Sequence, residues 1–450
     1  MSALPARSGT AATLLLIVLL PLGTACSASP PAATPVPTPV PGVLFVNAGH
    51  ELGPISPLVY GTNTGPWQNI TPSMTPHVEA AGFTLLRFPG GNWGDEYLLT
   101  ETRFDEFVAL ARELNAEPMV NVKLYKSTPE KATRWVEYAN VTHDYGIKYW
   151  GIGNEPSLYA SNRGLSDYDT AAFNQQWREF ALAMKTMDPS ILLIGPETHQ
   201  YTGTTDGNPR DQHDKDWMHE FLIANGDMVD IVSFHRYPFG SFEPQVSDLR
   251  QNSAEWDTII PSLRALIHDT TGRDLPVVVT EVNSNWTNQQ GGEATPDSFY
   301  NAIWWADVLG RLIVQRVDMV AHFALEGAGG LGLMSYPTPR PTYYVYLMYR
   351  QFGSDLLYAS SDEPLVRIYA ARREDGALTV MLINLGPDEA TKPLRLDNAD
   401  KLHPVTSADL AEVWLLNADH LAEKIGEQRI ASGDEIALPA QSVSLYIFPR

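Results

Sequence analysis

"IKYWGIGNEP", residues 147–156, begins as a buried strand and ends as something else. Apolar and aromatic residues run from Ile147 to Ile152, and then Gly153, Asn154, Glu155 and Pro156 close the run. An amide and a carboxylate at the tip of a core strand, with a breaker behind them, are costly to bury and do not serve packing. The same texture recurs in "PLVYGTN" (57–63), "TLLRFPGG" (84–91), "PMVNVKLY" (118–125), "ILLIGPET" (191–198), "VDIVSFHRYP" (229–238), "LPVVVTEVN" (275–283) and "DMVAHFALEG" (318–327), which makes eight runs. Between them lie segments such as "FDEFVALARELNA" and "AAFNQQWREFALAMKTMD", with apolar residues at helical spacing. Ser127-Thr128-Pro129-Glu130 and Thr102-x-x-Asp105 read as helix N-caps.

Eight strand-then-helix units whose strands are apolar throughout imply an α/β fold, a (β/α)8 TIM barrel over residues 43–352. The alternative is an open doubly wound sheet. No Gly-rich phosphate loop follows the first strand, which argues against a nucleotide-binding version. From about residue 353 to 450 the texture changes to short strands divided by Gly, Pro and Asp, among them "LVRIYAAR", "ALTVMLINLG" and "SVSLYIFPR". These imply a C-terminal all-β sandwich, which the early strand "VLFVNA" (43–48) is placed to join.

Residues 1–26 read as a secretory signal: Arg7, then the apolar "AATLLLIVLLPL", then small residues. The apolar core is shorter than the roughly 20 residues of a membrane span. Cys26 follows "LGTA", which resembles the lipobox of a bacterial lipoprotein, although Leu22 stands one position further back than usual. The alternative is plain signal cleavage. Residues 27–42, rich in Pro, Ala and Thr, read as a stiff linker. The expected location is secreted or extracytoplasmic, with membrane contact only through a lipid on Cys26. Cys26 is the only cysteine, so the domains beyond it are expected to hold no disulfide, thiol nucleophile or cysteine metal site.

A net charge of -22 excludes nucleic acid as an expected partner. Aromatic residues make up 10% of the chain, with 11 Trp, enough for a core and for surfaces that stack on sugar rings.

Chemistry in a parallel barrel gathers at the C-terminal ends of its strands. The second run ends in Arg87 and then Asn92-Trp93; the fourth in Asn154-Glu155; the sixth in His235 and Tyr237; the seventh in Glu281 and then Trp286. Glu155 and Glu281 are expected to face one another across the mouth. Paired carboxylates suit glycoside hydrolysis, in which one carboxyl donates a proton to the leaving oxygen and the other attacks the anomeric carbon. Asn154 is placed to bind a sugar 2-hydroxyl, and Tyr237 and Arg87 to keep Glu281 ionised. His235 is placed to orient either carboxylate, or else is a satisfied core histidine. Trp93 and Trp286 are candidates for stacking on a sugar, while Trp304 and Trp305 read as packing. "DQHDKDWMHE" (211–220) reads as an acidic helix start rather than a metal site. No metal and no cofactor is expected.

"GNEP" and the "TE" of strand seven resemble clan A of the retaining glycoside hydrolases. That resemblance implies Glu155 as acid/base, Asn154 as its companion and Glu281 as nucleophile on a (β/α)8 barrel. "LLRFPGGNW", "IKYWGIGNE" and "PTPRPTYYVYLMYRQFGSDLL" are most similar to the α-L-arabinofuranosidases. "SFHRYP" and "TEVN" are similar to endoglucanases, xylosidases and heparanase-like β-glucuronidases. Strand eight of many clan members ends in Trp, and here the run reads "HFALEG". The resemblance implies a glycosidase acting on carbohydrate. A glycan-binding lipoprotein without catalysis and a transglycosylase are the alternatives.

Overall fold

A computed structural model describes residues 40–240, 244–327, 329–398 and 409–450. The signal segment, Cys26 and linker residues 27–39 lie outside the described residues. Eight parallel strands close into a barrel. In order they are Gly61–Asn63, Leu85–Phe88, Glu117–Val122, Tyr149–Ile152, Leu192–Thr198, Ile231–Arg236, Val277–Val282 and Met319–His322. They are called strands one to eight below, and each falls on one of the eight apolar runs. Strand one pairs with strand eight, Gly61 opposite Ala321, which shuts the ring.

The floor of the barrel follows from the two-residue period of a strand. Leu85, Met119, Tyr149, Ile194, Ile231, Val278 and Met319 form one apolar layer, a single residue from each of strands two to eight. Two residues further along, Arg87, Asn121, Ser233 and Thr280 are all buried, so the layer above that plug is polar. The opposite strand faces, with Leu86, Val120, Val232 and Val279, pack against the surrounding helices.

Helix ends show how local chemistry sets the boundaries. The helix after strand two, Glu101–Glu113, is capped by Thr100, whose hydroxyl accepts from the Arg103 N–H. Thr102, expected as the cap, lies inside the first turn. Thr128 stands at the N-cap position of Pro129–Val136, as the sequence suggests, in extended backbone and without a side-chain cap bond. Asp216 accepts from the His219 N–H at the start of Trp217–Asn225, and Asp211 accepts from the His213 and Lys215 N–H groups. The acidic "DQHDKDWMHE" stretch is therefore a tied-down helix entry. In the helix Phe299–Val314 every residue from Tyr300 to Ile313 is buried, including Trp304 and Trp305. A helix buried on all sides belongs between layers, and this one, with a buried Asp307–Arg311 ion pair among its apolar residues, separates the barrel from the second domain.

That second domain is one nine-stranded sheet. Its order is Leu421–Ile430, Asp409–Leu416, Ser442–Phe448, Leu378–Asn384, Val366–Arg372, Asp355–Ser360, Leu44–Pro54, Ala390–Asp397 and Glu435–Leu438. Ile430 from one end and Ile436 and Leu438 from the other share an apolar cluster with Val46, Val380 and Leu394. The sheet therefore curls over its own core in the manner of a sandwich. Its other face, with Leu356, Tyr369, Met381 and Leu445, packs into the main core with Phe299–Val314 and Pro341–Tyr349. The early strand joins this sheet, with Pro54 opposite Asp355 and Leu44 opposite Leu394. The entire barrel is thus strung between two neighbouring strands of the sheet.

Candidate active site

Two irregularities in the barrel wall decide what points into its mouth. Between strands six and seven, Phe234 pairs with Val279 and His235 with Glu281, so Thr280 is an extra residue. Between strands five and six, Gly195 pairs with Val232 and Thr198 with Phe234, which sets Pro196 and Glu197 against Ser233 alone. A bulge shifts the side-chain alternation by a residue and re-aims whatever follows it. Strict alternation from Ile194 and Val278 would send Glu197 and Glu281 outward to the helices. The bulges bring both inward.

Strand four ends differently. Gly153 has φ +82° and Glu155 φ +50°, both in the left-handed region. A Cβ at Gly153 would also stand 2.9 Å from the Leu124 Cβ. Glu197 shares the left-handed conformation at φ +58°. For a residue other than Gly this costs about 1–3 kcal/mol, and such positions cluster at functional sites. The Glu155 N–H donates to the Glu197 carbonyl at 3.1 Å, so the two strained residues hold one another.

The carboxylates of Glu155 and Glu281 and the His235 ring present atoms that all lie within 4.8 Å of one another. Glu281 is buried, and its carboxylate accepts three hydrogen bonds. Oε1 takes the Arg87 Nη1 at 2.7 Å and the Gly91 N–H at 2.8 Å; Oε2 takes the Tyr237 hydroxyl at 2.9 Å and lies 3.6 Å from His235 Nδ1. Glu155 is more open, with about 15% of its side chain exposed, and its Oε1 is 3.0 Å from His235 Nδ1. A cation would accept the spacing of these three groups, but the Arg87 guanidinium already supplies positive charge there.

Arg87, at the end of strand two and 1% exposed, is the hub. It donates to Asn63, Glu281, Asn154 and Glu197 at 2.7 to 3.1 Å. Burial would lower its pKa, and the charges of Glu197 and Glu281 raise it instead. Burial would also lower His235, but the Glu281 charge and the hydrogen bonds to Glu155 and Glu197 push it up to about 9. Burial tends to raise Glu155, yet the hydrogen bond and charge of His235, followed by His199 and Arg87, hold it below the ordinary carboxylate range. Burial and the charges of Glu281 and Glu155 raise Tyr237 far enough that it stays a donor.

Six of the residues expected from the sequence therefore converge: Arg87, Asn154, Glu155, His235, Tyr237 and Glu281. Three stand further out. Asn92 is exposed and accepts from Arg163 at 2.9 Å. Trp93 stacks on Tyr97 with ring centroids 5.5 Å apart. Trp286 is 57% exposed and lies over Gly240. Cys26 lies outside the described residues.

Three contributors were not picked out from the sequence. Glu197, fully buried, accepts from Arg87 at 2.8 Å and meets His235 Nε2 at 3.0 Å. Its signal was a carboxylate at the end of the fifth run, "GPET". Phe323, after strand eight, stands over Gly91 with its ring 6.5 Å from that of Tyr237 and 6.2 Å from that of Trp67. It offers an aromatic wall where the run lacks Trp.

Asp95, buried after strand two, is the third. It accepts the N–H groups of Leu124, Tyr125 and Asn154 at 2.6 to 3.1 Å, and the Tyr159 hydroxyl as well. These bonds fasten the loops after strands three and four to the loop after strand two. Asp95→Ala strands four donors and is expected to cost about 3–5 kcal/mol in urea unfolding. A loss below about 1 kcal/mol would mean that the donors find other partners.

No family model matches the chain. Among curated relatives, heparanase of Gallus gallus is 23% identical over 334 residues, covering 66% of this chain and 60% of that protein. The β-xylosidase of Geobacillus stearothermophilus is 24% identical over 327 residues, covering 65% of this chain and 60% of its own length. The chain thus spans about 60% of the length of these relatives. Among solved structures, the α-L-arabinofuranosidase of Thermotoga maritima superposes with a TM-score of 0.73 at 17% identity, over 91% of this chain and 100% of that one. That likeness establishes the fold, a TIM barrel with a separate curled β-sheet domain. The three names are those of the glycosidase kinds that the strand-end motifs resemble.

Proposed function

We propose that the chain is a retaining glycoside hydrolase that cleaves O-glycosidic bonds of extracellular oligo- or polysaccharides by double displacement. The observation that carries this reading is the approach of the Glu155 and Glu281 carboxylates to within 4.8 Å. Carboxyl groups about 5–5.5 Å apart suit attack by one of them, whereas about 6.5–9.5 Å leaves room for an intervening water and inversion. The division of labour follows from the surroundings. Glu281 is buried and held by Arg87, Tyr237 and the Gly91 N–H, an ionised group aimed at an electrophilic carbon. Glu155 reaches solvent, as a group must that first serves a leaving oxygen and later a water.

In the first step the anomeric carbon gains a bond to Glu281 and loses the glycosidic oxygen, which takes a proton from Glu155. In the second, Glu155 takes a proton from water as the water oxygen displaces Glu281. Asn154 is fixed through its Oδ1 to Arg87, and its buried Nδ2 has no hydrogen-bond partner among the described residues, a donor that a sugar hydroxyl entering the site would satisfy. The signal-like start and Cys26 support export and tethering at a membrane surface.

The names of the relatives define the trial substrates: nitrophenyl α-L-arabinofuranoside, β-D-xyloside, β-D-glucoside and β-D-glucuronide, with plant and animal polysaccharides beside them. Cleavage is expected for at least one, with the first-formed anomer retained by NMR. Glu155→Gln is expected to lower kcat/KM on a phenyl glycoside by about 10²–10⁴-fold and to spare the dinitrophenyl glycoside, whose leaving group needs little acid help. A first product of inverted configuration, or equal losses on both substrates, would overturn the assignment. Glycan binding with no reducing sugar released would favour a binding protein instead.

A further inference from the structure

His235 sits between two carboxylates, with Nδ1 3.0 Å from Glu155 Oε1 and Nε2 3.0 Å from Glu197 Oε2. Glu155 and Glu197 are both held below the ordinary carboxylate range, and an ionised carboxylate only accepts, so both ring nitrogens donate and the ring carries both its protons. Glu197 is itself pinned by Arg87 at 2.8 Å. Its N–H donates to the Ser233 hydroxyl at 3.0 Å, and its carbonyl receives the Glu155 N–H. It lies below the exposed rim and out of reach of the anomeric carbon as the two-carboxylate reading places it. Yet it touches both the hub of the site and the histidine.

We propose that Glu197 is the positioning residue for the acid half of the reaction, holding His235 doubly protonated and turned so that Nδ1 passes to Glu155 the proton that the leaving oxygen takes. This rests on the assignment of Glu155 and Glu281 made above. In the first step the bond from Glu281 to the anomeric carbon forms and the glycosidic C–O bond breaks. Glu155, ionised at rest, takes the proton of His235 Nδ1 as it delivers one to the leaving oxygen, so it ends the step ionised again. His235 is left neutral, with its remaining proton on Nε2 toward Glu197. In the second step water loses a proton to Glu155, which returns it to His235 as the bond to Glu281 breaks.

The timing is electrostatic. The groups that face His235 are Glu155 after strand four, Glu197 and His199 on and after strand five, and Glu281 on strand seven, with Tyr237 after strand six and Arg87 on strand two standing behind these carboxylates. Of these, Glu281 alone loses its charge when it bonds to carbon. The histidine then loses one of its three carboxylate neighbours and releases its proton as the leaving oxygen needs it. Glu197 remains charged throughout and keeps the ring oriented. His235, placed by the sequence to orient a carboxylate, is itself oriented by Glu197.

Glu197→Gln removes the charge and keeps the shape and both backbone contacts. With the aryl glycosides that the wild type cleaves, the variant is expected to lose about tenfold or more in kcat/KM on the phenyl compound and little on the dinitrophenyl compound. The alkaline limb of the phenyl-glycoside profile is expected to move down by about one pH unit or more. Equal losses on both substrates, or an unmoved limb, overturn the proposal. Glu155→Gln assayed alongside separates the failures, because equal losses in that variant remove the acid/base assignment itself. Should Glu197→Gln not fold, ¹⁵N-histidine NMR of the wild type decides, with His235 assigned by its absence in His235→Asn. A ring carrying both protons at about pH 8, below its value of about 9, upholds the proposal, and a neutral ring there overturns it.

Discussion

Glu281→Ala is expected to lower kcat on aryl glycosides by about 10⁴-fold or more, and added azide to restore turnover with inverted product. The carboxylate is held by hydrogen bonds from Arg87, Gly91 and Tyr237, with the His235 charge 3.6 Å away, and the nearest other buried acid, Glu197, is itself tied to Arg87. Removing a nucleophile that acts in covalent catalysis costs several orders of magnitude. Alanine also opens room for a small anion on the same face of the sugar. Azide there attacks once and has no second displacement to follow, which gives a glycosyl azide of opposite configuration. Polarimetry or NMR of the product checks both halves. Unimpaired hydrolysis by the variant would take Glu281 out of the role.

The second large effect belongs to Arg87. It is 1% exposed and neutralises Glu197 and Glu281 together. Breaking a buried pair by removing one partner costs about 3–5 kcal/mol because an uncompensated charge stays behind. Arg87→Met, which keeps most of the volume, is expected to lose about that much in urea unfolding at neutral pH. The dependence on acidity tests the cause. Burial acts to raise Glu197, and Arg87 and then His235 hold it below the usual carboxylate range. Its contribution is therefore present above the unfolded value of about 4.3 and is lost as the pH falls through the lower folded value. Without Arg87 the folded value rises, so the penalty is expected to shrink as the pH is lowered from 7 toward 4 and Glu197 takes up a proton. A penalty equal at both pH values would point to lost packing and rule out the electrostatic account.

Much of this architecture was legible in the chain. Eight apolar runs stood where the eight strands lie, because a strand buried on both faces leaves an uninterrupted apolar mark. Arg87, Asn154, Glu155, His235, Tyr237 and Glu281 were legible for the opposite reason: a polar group at the tip of such a run has no packing role to play. Glu197 was hidden by the bulge that makes it useful. Read by alternation from Ile194, it belongs outside the barrel, and no local pattern announces the extra residue that reverses it. Asp95 was hidden because its partners are backbone N–H groups of Leu124, Tyr125 and Asn154, which carry no mark in a sequence. His322 and Glu326, which also end a run, serve other ends. His322 is buried against Trp305, pushed down to about 3 by desolvation, and Glu326 accepts the Asn69 N–H between two loops. Trp93 and Trp286 were legible as aromatics in the loops after strands two and seven, but the sequence could not say that they rest on Tyr97 and over Gly240.

The strand Leu44–Pro54 has hydrogen-bonded neighbours on both sides, one of them the strand that follows the barrel. In topological terms the catalytic ring is a very long hairpin loop, spliced between two rungs of a ladder. Cutting the polymer at the apparent border near residue 353 would therefore not yield two modules. It would strip the ladder of an inner rung and leave the ring with a frayed apolar tail. What resembles a detachable accessory is the clasp that keeps both ends of the ring together.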